Sequence, residues 1–457
     1  MGVEAAATTA AAASSASRKL RLGPPALALL CLVYTALAAL PAAPGSDLVL
    51  ATDGGSPGWL LGPLRFAGAD GADGPLAGPL FYAGLWLSLG LYVVVLVRAR
   101  EIPRRWAIGV IAALTGLFAL APPLLSQDVF SYIAYARLGV EDGLNPYSNA
   151  PLAAPLDSVF PFAGSITATS VYGPFFTLFT YPLAPLGVAG AFWVLKGVMA
   201  LAVLGIVALV WRIAERLGRD PVLPALAVGL NPLVLAHVVS GAHNEALVVL
   251  VTMAGVLAWV AARDRAAAAT ATAAAGLKAS AGLVVPFLIL GSAVRGGATS
   301  WRDRLRAGGG PLLAAIGASL AILVVALIGF GGEALDALGL LSSNQERTSR
   351  WSFPYKTAEL LGAVLPGDRL DYRSAVRIVF GLAFAGVAAW LLWRTWRGMD
   401  PIAAAGWATL AVLVASAWLV PWYALWLLPL AAVAADRRLL PASIVLCAWM
   451  LVIAVPL

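Results

Sequence analysis

Apolar runs follow one another along nearly the whole chain, at 25–42, 80–97, 106–121, 189–211, 222–240, 245–262, 311–330, 374–393, 401–419, 422–436 and 440–457. Crossing roughly 30 Å of hydrocarbon takes about 20 residues of helix, so these runs predict transmembrane helices. A β-barrel would instead show segments of about ten residues with alternating polarity, and the runs are continuous. Basic residues cluster at alternate span ends. They are Arg18, Lys19 and Arg21; Arg98, Arg100, Arg104 and Arg105; Arg212, Arg216 and Arg219; Arg263 and Arg265; Arg295, Arg302, Arg304 and Arg306; Arg394 and Arg397; and Arg437 and Arg438. Cytoplasmic loops carry such an excess, so the clusters set the orientation of the spans. The tail at 1–22 is expected in the cytoplasm, and the first span reads as a retained anchor rather than a cleaved signal.

Two stretches resist a simple crossing. GPFFTLFTYPLAPLG, from Gly173, is apolar but short and broken by proline, and a full crossing would leave Arg212, Arg216 and Arg219 outside. It reads as a juxtamembrane or half-inserted helix. The stretch 266–294 has a cytoplasmic signature at both ends, which demands an even number of passes, and it carries Lys278 in its middle. Two short helices meeting at 278–282 are predicted, a break tolerated only where protein or a cavity satisfies the freed backbone. The expected fold is an all-α polytopic membrane protein of about 13 membrane helices with external juxtamembrane helices. Its parts are a cytoplasmic tail (1–22), an N-terminal helix pair with an external loop (23–105) and a transmembrane domain (106–457). External segments of that domain lie at 122–188, with amphipathic helices, and at 331–373.

With 61% of residues hydrophobic and 12% charged, the chain offers no soluble face for nucleic acid, and its net charge of +7 sits in the clusters at span ends. Cys31 and Cys447 both fall inside apolar runs, so neither a disulfide framework nor a thiolate metal site is available. Walker A, GxSxG, Rossmann and HxxxH patterns are absent, and no nucleotide, metal or other cofactor is expected.

Candidate chemistry centres on 126–147, SQDVFSYIAYARLGVEDGLNPY, where an apolar span ends in a carboxylate. Read as a helix at about 100° per residue, it places Asp128, Ser131, Tyr132 and Tyr135 on one polar-aromatic face. Val129, Phe130, Ile133, Ala134 and Val140 make the opposite face, which predicts a helix lying at the membrane interface. Arg137 projects from the apolar side, where a cation needs a lipid headgroup or a phosphate. Asp128 suits a general base that takes the proton of a sugar hydroxyl, or an N-cap, and the two roles can coexist. Glu141 and Asp142 read as solvated turn residues.

Three further places offer polar groups at the same side. His243, Asn244 and Glu245, in the turn HVVSGAHNE, either bind sugar hydroxyls or a phosphate, or form a self-bonded polar turn. Lys278 either meets a lipid phosphate or snorkels from a helix end. Arg347, Arg350 and Lys356 either clamp a leaving phosphate or are solvated loop charges. Beside them Trp351 would stack on a sugar or join the aromatic belt.

The segments SQDVFSYIAYARLGVEDGLNPY, SVYGPFFTLFTYPLAPLG, NPLVLAHVVSGAHNE and GLKASAGLVVPFLIL resemble the GT-C superfamily of polyprenyl-phosphate-sugar-dependent glycosyltransferases. Within it, the chain is similar to the actinobacterial α-1,6-mannosyltransferases of lipomannan and lipoarabinomannan synthesis. The likeness runs from about Trp106 onward, and the first two spans look like that subgroup's extra N-terminal pair. It implies a GT-C fold and inverting transfer of mannose from polyprenyl-phosphomannose to a growing α-1,6-mannan at the periplasmic face of a bacterial plasma membrane. It also implies Asp128 as base, although many GT-C relatives carry an acidic pair where this chain has one acid. On this reading Tyr132, Tyr135, Tyr172, His243, Asn244, Glu245 and Trp351 face the sugars. Arg137, Lys278, Arg347, Arg350 and Lys356 face the lipid phosphate. Arabinosyl transfer on the same scaffold is an alternative, as is a lipid-linked sugar flippase or transporter. A flippase would favour matched broken helices in both halves, and the sequence signals breaks in only one.

Overall fold

The computed structural model describes residues 21–42, 46, 48–49, 56–66, 76–297, 300–335, 348–365 and 369–453, and all regular structure among them is helical. Among the described residues six helices are long and apolar enough to cross a membrane: Gly23–Ala42, Ala77–Val97, Pro174–Arg216, Ala279–Gly297, Trp301–Phe330 and Tyr372–Trp396. Four shorter apolar helices, Glu245–Val260, Pro401–Ala415, Pro421–Val433 and Leu439–Val452, accompany them where about thirteen membrane helices were expected. The difference arises because several apolar runs fold as half-length pieces. The run at 222–240, for example, is a helix only to Gly229 before Asn231 and Pro232 interrupt it.

In chain order the principal helices are α1 (Gly23–Ala39), α2 (Ala77–Val97), α3 (Arg104–Leu120), α4 (Asp128–Val140), α5 (Pro174–Thr180), α6 (Gly187–Arg216), α7 (Val222–Gly229) and α8 (Glu245–Val260). They continue as α9 (Asp264–Ala275), α10 (Val285–Val294), α11 (Trp301–Phe330), α12 (Phe353–Val364), α13 (Arg369–Trp396), α14 (Pro401–Ala415), α15 (Ala424–Val433) and α16 (Leu439–Ile453). The core gathers around α6, α7 and α15, whose facing Val, Leu, Ile and Ala side chains are buried. The helices α11 and α13 keep most of their apolar surface exposed, as hydrocarbon-facing spans do. The N-terminal pair is tied in through phenols: Tyr34 donates to the carbonyl of Leu230 at 2.6 Å, and Tyr92 to that of Ala227 at 2.6 Å.

The predicted break is present. Beyond α9 the chain turns extended at Lys278, runs through the 3₁₀ segment Ala279–Val284 and resumes as α10. Its freed carbonyls are not left bare: the N–H groups of Gly173 and Phe175 donate to Leu277 and Gly276, both at 2.9 Å. The segment leading into α5 therefore docks backbone to backbone against the break. This approach requires glycine, since a Cβ on Gly173 would lie 2.2 Å from the Gly276 carbonyl oxygen.

One expectation needs correcting. The helix α4 does not turn one face outward, because both faces are buried, from Val129 through Leu138 with Arg137 half-buried. Phe130 stacks on Phe192 of α6 at 5.6 Å and on Phe162 at 5.2 Å, while Tyr132 meets Tyr172 and Phe176 edge-on at 4.9 Å each. Amphipathic periodicity separates polar from apolar positions, and here protein covers both.

Gly173→Ala is expected to lower the thermal unfolding midpoint in detergent, since overpacking at a close approach costs about 1–3 kcal/mol. Gly116→Ala in α3, whose added Cβ meets nothing within 4 Å, is the control and is expected to be neutral or stabilising. Equal shifts for the two would mean that the break is not held by this contact.

Candidate active site

Three irregular stretches build the site. The first follows α3, where Pro122 and Pro123 end the helix and residues 121–127 carry the chain to α4. Asp128 is the first residue of α4, and the positive end of the helix dipole favours a carboxylate there. The N-cap position belongs to Gln127, whose side chain makes no capping bond. The Asp128 N–H donates to Ser126 Oγ at 3.2 Å, and the Asp128 side chain stays 40% exposed.

The second stretch follows α7. A turn of π-helix, Val234–Val239, leads through Gly241 and Ala242 into the buried residues His243, Asn244 and Glu245 at the head of α8. His243 Nδ1 stands 3.5 Å from Asp128 Oδ2 and 3.9 Å from Glu245 Oε2, and its ring stacks on Trp422 with centroids 3.9 Å apart. The Asn244 N–H donates to the Tyr132 hydroxyl at 3.3 Å, which fixes the turn against α4.

The third stretch is the break at Lys278. Its ammonium is ion-paired with Glu245 Oε1 and lies 5.0 Å from the Tyr423 ring centroid and 5.6 Å from that of Trp426. Asp128, Tyr172 and Lys278 line one cavity of about 300 Å³ whose far wall is aromatic: Trp418, Trp422, Tyr423 and Trp426. The sequence reading missed that wall. Its signal was four aromatics between 418 and 426, a density easily taken for an interfacial belt.

Other candidates are placed differently. Tyr132 is buried behind Tyr172, and the Tyr135 hydroxyl donates to the carbonyls of Ala168 and Thr169 at 2.8 and 3.2 Å, pinning the loop after α4. The Tyr147 phenol, pushed up to about 12 by burial, donates to the Tyr172 carbonyl at 2.8 Å. Arg137 does not reach lipid, because Nε bonds both oxygens of Asp157 at 2.9 Å and the guanidinium pairs with Glu141 at 2.6 Å. Glu141 is accordingly an ion-pair partner as well as a turn residue. Lys356 pairs with Glu359 at 2.7 Å and lies 4.0 Å from the Trp351 ring centroid, outside the cavity lining. Arg350 is exposed on a segment that docks through the Ser349 N–H, which donates to the Ala417 carbonyl at 2.9 Å, and Ala417 lines the cavity. Arg347 lies outside the described residues.

Unpaired polar atoms concentrate here. Both nitrogens of His243, the side-chain amide of Asn244, Glu245 Oε2, Ser280 Oγ and Trp426 Nε1 are buried without a hydrogen-bond partner. Buried polar groups are normally bonded, so such a cluster beside a cavity marks a binding site. Among the described residues, no three His, Cys, Asp or Glu side chains converge to hold a metal ion.

The ion pair makes a thermodynamic test. Lys278→Met leaves Glu245 charged and buried and is expected to cost about 3–5 kcal/mol in stability, with Glu245→Gln costing less. The double variant is expected to recover most of the loss, as read by thermal unfolding in detergent. Strictly additive losses would mean that the pair is not coupled.

Comparison with known proteins identifies the family. Residues 53–294 match the alpha-(1→6)-mannopyranosyltransferase N-terminal domain, and residues 360–457 match the MptB C-terminal domain. The chain is 32% identical to alpha-(1→6)-mannopyranosyltransferase A of Mycobacterium tuberculosis over 360 residues, which covers 74% of this chain and 67% of that protein. Identity to alpha-(1→6)-mannopyranosyltransferase A of Corynebacterium glutamicum is 26% over 329 residues, 66% of each chain, so this chain spans about two thirds of the relatives it matches. No solved structure matches. On the family match and the 32% identity, the chain belongs to the alpha-(1→6)-mannopyranosyltransferase family of membrane glycosyltransferases.

Proposed function

We propose that this protein transfers mannose from polyprenyl-phosphomannose to a growing α-1,6-mannan, the core of lipomannan and lipoarabinomannan, at the periplasmic face of the plasma membrane, with Asp128 as general base. One observation carries the reading: a part-exposed carboxylate and a lysine face a single cavity with an aromatic wall. The names of the relatives support both the sugar and the linkage.

The proposed step needs few groups. The acceptor's C6 hydroxyl oxygen attacks the anomeric carbon of the donor, and Asp128 accepts the hydroxyl proton. The bond from the anomeric carbon to the phosphate oxygen breaks, its electron pair leaves with the phosphate, and β becomes α. A phosphate departs as an anion, so no general acid is required and cations matter more. His243 Nδ1 stands 3.5 Å from the Asp128 carboxylate, while the indoles of Trp418 and Trp422 offer flat faces to pyranose rings.

Charge accounting favours a further cation. Asp128 and Glu245 bring two carboxylates to one Lys278, and Glu245 already claims it. Charge gathering on the departing phosphate therefore calls on the segment at 348–356, where exposed Arg350 is the proposed clamp, with Lys356 and Arg347 beside it in sequence.

The test is transfer by the purified protein, given polyprenyl-phosphomannose and a short α-1,6-mannoside. Wild type is expected to extend the acceptor, and Asp128→Asn to lose about 10²- to 10⁴-fold in rate. A variant with near-wild-type rate would remove the base role while leaving the enzyme class intact. Donor binding with no transfer to any sugar would favour a flippase, and preference for an arabinosyl donor would overturn the choice of sugar.

A further inference from the structure

The helix α6 carries a lysine inside its span. Lys196 is fully buried, and its ammonium donates to three backbone carbonyls: Phe118 at 3.3 Å, Ser240 at 3.0 Å, and Ala121. Three acceptors occupy all three N–H groups, and no carboxylate pairs with it among the described residues. Two features compensate the charge. Phe118 and Ala121 are the last-turn and C-cap carbonyls of α3, and Ser240 follows the π-helical turn, so the cation sits where two helix C-termini meet. The rings of Phe192 and Trp193 lie 5.7 and 5.6 Å away and add cation–π attraction.

Two of these carbonyls, those of Ala121 and Ser240, belong to the stretches that deliver the candidate base and its histidine, and the third ends the helix before the first of them. Ala121 opens the connection to Asp128, and Ser240 lies just before His243. A second tie runs beside the first, from Ser240 Oγ to the Pro122 carbonyl at 2.6 Å. Each stretch also holds a non-glycine residue at positive φ, Leu125 at 62° and Ala242 at 52°. Such conformations persist only where the surroundings over-determine them.

We infer that Lys196 is a positioning residue, whose ammonium locks the Asp128 and His243 stretches into one rigid unit and so holds their side chains in register. The inference rests on the reading of Asp128 as the base. Misplacement of a reacting group by about 1 Å costs about 10²-fold in rate, which sets the scale of the expected effect.

The experiment compares Lys196→Met with Arg219→Met. Arg219 likewise donates to backbone carbonyls, those of Val433 and Ala434 at 2.7 and 2.8 Å, but none of the three lines the cavity. In Lys196→Met, kcat is expected to fall about 10²-fold with the donor KM within about twofold. Amide hydrogen exchange should quicken together in 121–128 and 237–244 and stay unchanged in α8 and α14. Arg219→Met should keep kcat. Wild-type kcat in Lys196→Met, or exchange that quickens throughout the chain with kcat and KM worsening alike, would overturn the proposal. If Lys196→Met does not fold, Ser240→Ala removes only the second tie; a lower kcat with quickened exchange in both stretches is expected, and no change in either would also overturn it. Should wild type transfer no mannose, the function reading fails, while the exchange data still decide whether Lys196 joins the two stretches.

Discussion

A backbone carbonyl freed away from water must be given a donor, and this requirement organises the molecule. At four places a helix stops inside the bundle and a group from elsewhere closes it. The break after α9 takes N–H groups from Gly173 and Phe175, and the end of α3 takes the Lys196 ammonium. Arg219 closes α15, and Tyr34 and Tyr92 reach over the end of α7. Asp128, His243 and Lys278 all stand in or beside such interruptions. Polar side chains stand at these points beside carbonyls that have been given donors.

The electrostatics of the cavity follow from unequal burial of like charges. Glu245 is enclosed and matched by Lys278, a pairing whose desolvation penalty offsets much of its Coulomb gain, so it defines geometry more than stability. Asp128 keeps contact with the cavity and faces an imidazole at 3.5 Å. Stacking of His243 on Trp422 ties this arrangement to the aromatic wall, so the polar and flat sides of the cavity share one residue contact.

Much of this was legible before the fold was known. Arginine clusters marked the span ends, the charge rule alone demanded the break at Lys278, and Asp128 stood out as a carboxylate directly after a span. What escaped the sequence has physical causes. Arg137 looked destined for lipid because its partner Asp157 lies 20 residues on, in an irregular loop that periodicity cannot place. Lys196 stood in the sequence as a charge inside the run 189–211, but its partners did not, since carbonyls belong to every residue and identify none. The aromatic wall resembled an interfacial belt, and half-length helices resembled whole crossings, because composition records apolarity and not where a helix stops.

The two family matches meet at the cavity. Asp128, His243 and Lys278 come from the stretch 53–294, whereas Trp418, Trp422, Tyr423 and Trp426 come from 360–457. Neither stretch holds a whole site. A recombinant joining one relative's first portion to another's second must therefore inherit a histidine and an indole that stack, or lose the seam between the walls. In this chain the two portions depend on each other at that seam through the one stack of His243 on Trp422.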